Sequence, residues 1–166
     1  VTAGASMTTS NTGKKYVGAI DVVPRMKRSA METASKAGKF LLKVDSSQNV
    51  TIAYDINSLV SYTIKKGKVF RKNRVVRTID NIKKDLGIIY EGEYVGKFDN
   101  EPDGQDLLKG AYCDYFSELN RKKAIKNFET DDVTVTDGVE ADSVYVVVNV
   151  QPVDSIDKIY VDVNLS

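Results

Sequence analysis

Two alternating β-strands are encoded in residues 142–166, DSVYVVVNVQPVDSIDKIYVDVNLS. Successive side chains of an extended strand point to opposite faces, so the apolar residues of the first strand share one face. These are Val144, Val146, Val148 and Val150, with Ser143, Asn149 and Gln151 on the other face. The second strand repeats the pattern, with Ile159, Val161, Val163 and Leu165 opposite Tyr160, Asp162 and Asn164. Each strand is therefore expected to pack one face against a core and to leave the other face more exposed to solvent.

The backbone edges of these strands carry few of the features that keep natural edge strands from pairing with other chains. Lys, Pro and bulges usually serve that purpose, whereas residues 143–151 contain no charge and no proline. Such an edge is either covered or recruits another chain. Two readings stay open: the strands form a hairpin closed by residues 152–158, or they pair with other copies.

Composition places the chain among ordinary globular domains. Its 166 residues are 42% hydrophobic and 28% charged, with a net charge of +1. These values argue against disorder and against a globally basic nucleic-acid binder. No apolar run approaches the ~20 residues of a membrane span, so no membrane insertion is predicted. The single cysteine, Cys113, lies among tyrosines as a small core residue would.

Catalytic and metal-binding patterns are missing from the sequence. There is no histidine, which removes the commonest general base and the usual zinc ligand. Glu101, Asp103 and Asp106 lack the spacing of a calcium loop. We therefore predict that the chain is not an enzyme, and that it has no catalytic residues, metal site or cofactor.

The remaining sequence predicts an α+β fold: a small mixed β-sheet packed with two main helices, plus extended terminal strand segments. The apolar spacing of Val75, Ile79, Ile82, Leu86 and Ile89 predicts a helix from about Asn73. A second helix from about Gly104 would bury Leu108, Ala111, Tyr112, Tyr115 and Leu119. Other predicted elements are a strand at 16–23, a short helix at 29–37, a hairpin of 40–45 with 50–54, and a strand at 133–136. The predicted organisation is an extended linker or arm at 1–15, a body at 16–142 and a strand pair at 143–166.

Charges are segregated along the chain. Residues 65–77 hold seven basic side chains and no acidic one: Lys65, Lys66, Lys68, Arg71, Lys72, Arg74 and Arg77. An acidic group follows later, made of Glu129, Asp131, Asp132, Asp137, Glu140 and Asp142. Three interpretations follow: head-to-tail contact between identical copies, two solvated faces that contribute little, or a nucleic-acid-binding module that uses the basic segment 65–77.

Several stretches together resemble one family, the C-terminal domain of contractile tail sheath proteins from tailed phages and R-type bacteriocins. The resemblance rests on an ordered series: KGK (66–68), FRKNRVVRTID (70–80), YVGKFDN (94–100), IKNF (125–128), DDVTV (131–135) and VQPVDSIDKIYVDVNLS (150–166). The opening AGASMTTSNT also resembles the segment that leads into this domain, and the missing initial methionine suggests that the chain was cut from something longer.

The resemblance implies a structural subunit that polymerises around an inner tube and contracts to drive it through a target envelope. The implied partners are other copies of the sheath protein in a helical homopolymer, the inner tail tube protein and the baseplate, with no nucleic acid. Neighbouring subunits would be linked by β-augmentation, with Ile159, Tyr160, Val161, Asp162, Val163 and Leu165 donated to an acceptor strand that contains Val144, Val146, Val148 and Val150.

The resemblance also implies a place of assembly. The sheath would assemble in the bacterial cytoplasm and end in a phage virion tail or a released bacteriocin particle. The expected charged contacts with the tube or a neighbour are the seven basic residues of 65–77 together with Lys122, Lys123 and Lys126.

Overall fold

The computed structural model describes residues 6–64, 66–157, 159 and 161–163. Its helices are α1 (Arg28–Lys36), α2 (Asn73–Ile89) and α3 (Pro102–Arg121), and its strands are β1 (Leu42–Val44), β2 (Val50–Ile52), β3 (Ile125–Lys126), β4 (Val133–Asp137), β5 (Val144–Val148) and β6 (Gln151–Pro152). The predicted α+β class is confirmed. In the described residues the strands form three two-stranded antiparallel sheets, β1–β2, β3–β6 and β4–β5, instead of one mixed sheet.

The chain divides into two compact units. The first contains the residues up to Arg77 and those from Asp154 onward, and the second is Thr78–Val153. The core of the first unit surrounds β2, where Val50 and Ile52 are buried together with Val75 at the start of α2. Residues 13–16 run beside β2: the Gly13 N–H donates to the Ile52 carbonyl at 2.8 Å, and the Tyr16 N–H donates to the Val50 carbonyl at 2.8 Å. The segment before α1 is thus partly fixed by backbone pairing.

The predicted strand at 16–23 is wrong. Backbone pairing with β2 stops at Tyr16, and Gly18 adopts a φ of +92°, a conformation that interrupts an extended strand. The aliphatic side chains of Val17, within that turn, and of Ile20 and Val23, beyond it, are exposed. Their β-branched character favours a strand, but no neighbouring strand of the described chain pairs with them.

The two main helices are confirmed. Val75 and Ile82 of the α2 stripe are buried, and this helix runs into a π-helical turn at Tyr90–Tyr94. In the second unit α3 begins with Pro102, whose missing N–H has no helical partner at that position anyway. It packs against β3 and β4.

The buried face of α3 differs from the predicted one. Leu108 and Leu119 are buried as expected, but the other large core residue is Phe116, which lies 5.5 Å from the Phe128 ring, centroid to centroid. Tyr115 is half-buried and donates from its hydroxyl to Asp85 Oδ2 at 2.9 Å. Burial, with the hydrogen bond to Asp85 and its charge, raises the pKa of Tyr115. A phenol needs a polar partner, so the phenylalanine takes the deeper position.

Within the described ranges, no helix is both long enough and apolar enough to span a bilayer.

Candidate functional site

The strand β5 has one occupied edge. It pairs with β4 in an antiparallel register in which Val135 lies opposite Val146, and among the described residues β4 is its partner strand. The side chains alternate as the sequence predicts, with Val144, Val146 and Val148 half-buried while Tyr145 and Val147 are exposed.

The hydrogen bonds at both ends of this pair define which backbone groups face away from β4. The Asn149 N–H donates to the Asp132 carbonyl at 3.0 Å, and the Gly138 N–H donates to the Ser143 carbonyl at 2.8 Å. Hydrogen-bonded residues alternate along an antiparallel pair, so Tyr145 and Val147 also direct their N–H and C=O groups to β4.

The intervening residues of β5 therefore present their backbone to the opposite edge. They are Val144, Val146 and Val148, three of the four residues expected in an acceptor strand. A strand added here would find N–H and C=O groups at every second residue, over a length of five residues. The fourth expected residue, Val150, lies outside β5, in the two-residue step before β6 pairs with β3.

The closing stretch, meaning residues 159–166, is described in the structure at residues 159 and 161–163. Ile159, Val161 and Val163 are 76%, 74% and 77% exposed and belong to no strand. Asp162 is exposed as well, whereas the expected donor residues Tyr160 and Leu165 lie outside the described residues. Of the two readings of the closing strands, the hairpin is not formed by the described residues: β5 pairs there with β4, and residues 159 and 161–163 belong to no strand.

The closing stretch is anchored at its root, residues 154–157. The Lys72 ammonium forms ion pairs with Asp157 and, at 3.2 Å, with Asp154 Oδ2. Burial alone would lower the pKa of Lys72, but its hydrogen bond to Asp157 and the charges of both carboxylates outweigh it and raise that pKa.

The basic stretch is therefore not one exposed patch. Lys72 pairs with two carboxylates, Arg74 is buried, and Arg77 Nη2 lies 2.9 Å from Asp55 Oδ2. Lys66 and Lys68 are exposed, Arg71 is half-buried, and Lys65 lies outside the described residues. At least three of the seven cations thus make contacts within the first unit, which leaves fewer exposed cations for a nucleic-acid backbone than the sequence suggested.

The other expected charge contacts lie after α3. The Lys122 Nζ atom lies 3.2 Å from Glu118 Oε1. Lys123, in the turn before β3, and Lys126, on β3, are exposed. Hydrogen bonds from Arg121 first, and then from Lys122, lower the pKa of Glu118 to about 2. In the acidic group, Asp132 accepts from the Glu129 N–H at 3.0 Å as part of a capping box.

A family model described as the phage tail sheath C-terminal domain matches residues 65–166. The chain belongs to the phage tail sheath family. A sheath tail protein from Desulfitobacterium hafniense is similar at 39% identity with a TM-score of 0.81, over 96% of this chain and 37% of that one. The phage-like element PBSX protein XkdK of Bacillus subtilis is 31% identical over 99% of this chain and 37% of its own length.

A more distant likeness concerns the sheath fold alone. The contracted helical sheath of the anti-feeding prophage aligns with 95% of this chain at a TM-score of 0.69 and 14% identity. The chain spans 37% of the length of the curated relatives that it matches over almost its entire sequence. Its family membership is thus carried by one domain of a longer architecture in those proteins.

The sequence missed two features of this sheath domain. One is the pairing of Lys72 with Asp154 and Asp157, which joins residues more than eighty positions apart. The other is the buried carboxylate of Asp55, which precedes the basic stretch in the sequence. An acidic residue in an otherwise apolar run, IAYDI, is the one local signal for the second.

Proposed function

We propose that this chain is the part of a contractile tail sheath subunit that links neighbouring copies through donated strands. The observation that carries the proposal is the second edge of β5, which has no partner strand among the described residues and toward which Val144, Val146 and Val148 direct their backbone groups. Main-chain groups at an open sheet edge are the groups that an added strand pairs with in β-augmentation.

The donor is the closing stretch of a neighbouring copy. Its apolar residues Ile159, Val161 and Val163 alternate at the spacing that a strand on this edge requires, and they are exposed in the isolated chain. In a completed sheet they lie on the same face as Val144 and Val146, so that pairing buries them and supplies both register and stability.

Such links allow a sheath to shorten without falling apart, because the donated strands stay hydrogen-bonded while the globular bodies repack. The polymer surrounds an inner tube, joins a baseplate, and drives the tube through a target envelope on contraction. The exposed cations Lys66, Lys68 and Lys126, together with Lys122 and Lys123, are the proposed contacts with tube or neighbour, since weak ionic contacts release readily. This role is structural and turns over no substrate.

The proposal is tested by truncating the full-length protein after Lys158. The variant keeps the anchored root and both units but lacks the donated residues, so we expect folded protein that forms no tubes in electron micrographs. A matched control replaces residues 159–166 with the same number of Gly and Ser residues. Tubes of ordinary length from either variant would show that the closing stretch does not link the subunits.

A further inference from the structure

The beginning of α2 holds two segments that are distant in sequence. Arg74 donates from Nε to the Met7 carbonyl at 3.1 Å and from Nη1 to Ser155 Oγ at 3.0 Å. One turn later, Arg77 donates from Nη2 to the Thr9 carbonyl at 3.1 Å. Met7 and Thr9 belong to the entering segment, residues 6–16, and Ser155 belongs to the root. These two segments therefore share the buried guanidinium of Arg74, a residue that is 6% exposed.

The root is held by side chains instead of by a strand ladder. Asp154 and Asp157 both pair with Lys72, and Ser155 accepts from Arg74. Asp154 also accepts from the Ser155 N–H at 2.8 Å, which shapes the turn. Ile156 is the exception, with its side chain in solvent. Three of the four consecutive residues are thus tied to two cations.

We propose that Lys72 and Arg74, with Asp154, Ser155 and Asp157, form a latch that fixes the point from which the donated strand leaves the domain. This inference rests on the proposed strand donation and assigns Lys72 and Arg74 as positioning residues for it. The strand itself pairs when a neighbour arrives.

The physical advantage of the latch is that it restricts the positions that the donated strand can reach. The eight residues beyond Lys158 reach at most about 26 Å at roughly 3.3 Å per residue. A fixed root confines the donor to a small volume near the neighbouring acceptor edge, which raises its effective concentration there and lowers the entropy lost on pairing. A loose root would let the same residues sample directions that cannot reach β5 of the next copy.

Arg74 adds coupling between the two segments. Because it donates to both Met7 and Ser155, release of either segment leaves part of a buried guanidinium without its partner, which is costly. The entering segment and the root consequently order each other.

The latch is tested in the chain alone by NMR relaxation of Lys72→Met. We expect the amide order parameters of Ser155–Asp157 to fall from about 0.85 to below about 0.6, the values of rigid and flexible backbone. Lys72→Arg keeps the charge and should preserve the order. Lys84→Met, which changes an exposed lysine of α2, is the control. Unchanged order parameters in Lys72→Met would overturn the latch.

The positioning role of Lys72 is tested in the full-length protein. Lys72→Met should raise the critical concentration for polymerisation about tenfold, and Lys72→Arg should restore it. If truncation after Lys158 blocks polymerisation while Lys72→Met leaves the critical concentration unchanged, the positioning role is refuted and strand donation stands. If the truncated protein polymerises normally, strand donation itself fails.

Discussion

Asp55 organises the polar interior of the first unit. Its carboxylate accepts from the Asn11 N–H, from Asn73 Nδ2 and from Arg77 Nη2, each at 2.9 Å. Burial would raise the pKa of Asp55, but these three donors outweigh it and hold that pKa below its ordinary value of 3.8. One side chain, three residues after β2, thus ties the entering segment to the start of α2.

The lowered pKa predicts a contribution to stability that depends on pH. Since the folded-state pKa lies below the unfolded one, the contribution is present above the unfolded value and is lost as pH falls through the folded value. Asp55→Asn should lower the free energy of unfolding by about 2 kcal/mol at neutral pH, and the difference from wild type should shrink as the pH falls below the ordinary aspartate pKa of 3.8. Urea unfolding of wild type and variant at several pH values measures this difference in the free energy of unfolding.

Asp21 supplies the control for this measurement. It pairs with Arg25 at 2.8 Å on the surface, where solvent screens the interaction. Asp21→Asn should leave the unfolding midpoint at neutral pH unchanged. Equal effects of the two substitutions would show that Asp55 contributes no more than a surface carboxylate.

The helix α3 offers a matched pair of leucines for testing the core of the second unit. Leu108 is buried, whereas its neighbour Leu107 is 57% exposed. Leu108→Ala should lower the free energy of unfolding by about 3 kcal/mol, because it removes methyl groups and leaves a cavity. Leu107→Ala should change it by less than about 0.5 kcal/mol. Equal losses in denaturant unfolding would contradict the orientation of α3.

The donated strand allows a test of its direction on β5. In an antiparallel pair, the donor residues that lie on the core face beside Val146 also direct their N–H groups to β5; in a parallel pair the alternate residues do so. Val161→Pro should therefore block polymerisation of an antiparallel arrangement and Asp162→Pro that of a parallel one. Neither residue has a strand partner within the described chain, so the fold should tolerate both changes. Polymerisation by both variants would contradict main-chain pairing.

Local periodicity predicted the elements that bury a regular face. The apolar stripe of α2 and the alternation of β5 both predicted correct elements, because each pattern marks the face of the element that is buried. The strand expected at 16–23 failed for the complementary reason: β-branched residues favour a strand only where a partner is within reach, and Gly18 turns the chain away from β2. On α3 the sequence could not distinguish Tyr115 from Phe116 as the deeper residue, since both fit a helical stripe.

Across the complete chain, charge pattern was a weaker guide than apolar pattern. The basic run suggested a surface for a partner, yet Lys72, Arg74 and Arg77 make contacts inside the first unit. Their partners lie before β1, after β2 and after β6, distances at which no local pattern can pair one charge with another. The alternating faces of β5, in contrast, were predictable, because an uncharged alternating strand without proline is a local feature.

The most direct test of strand donation is a cross-link between two kinds of full-length subunit in one assembled sheath. One kind carries Val147→Cys on the exposed face of β5, and the other carries Asp162→Cys on the same face of the expected donor. Cys113 is buried and should not compete. We predict disulfide-linked dimers that contain one subunit of each kind, formed upon oxidation of mixed tubes. Tubes that assemble from the mixture and yield no mixed dimer, with residues 160 and 164 of the same strand face tested in the same way, would contradict donation of this strand to β5.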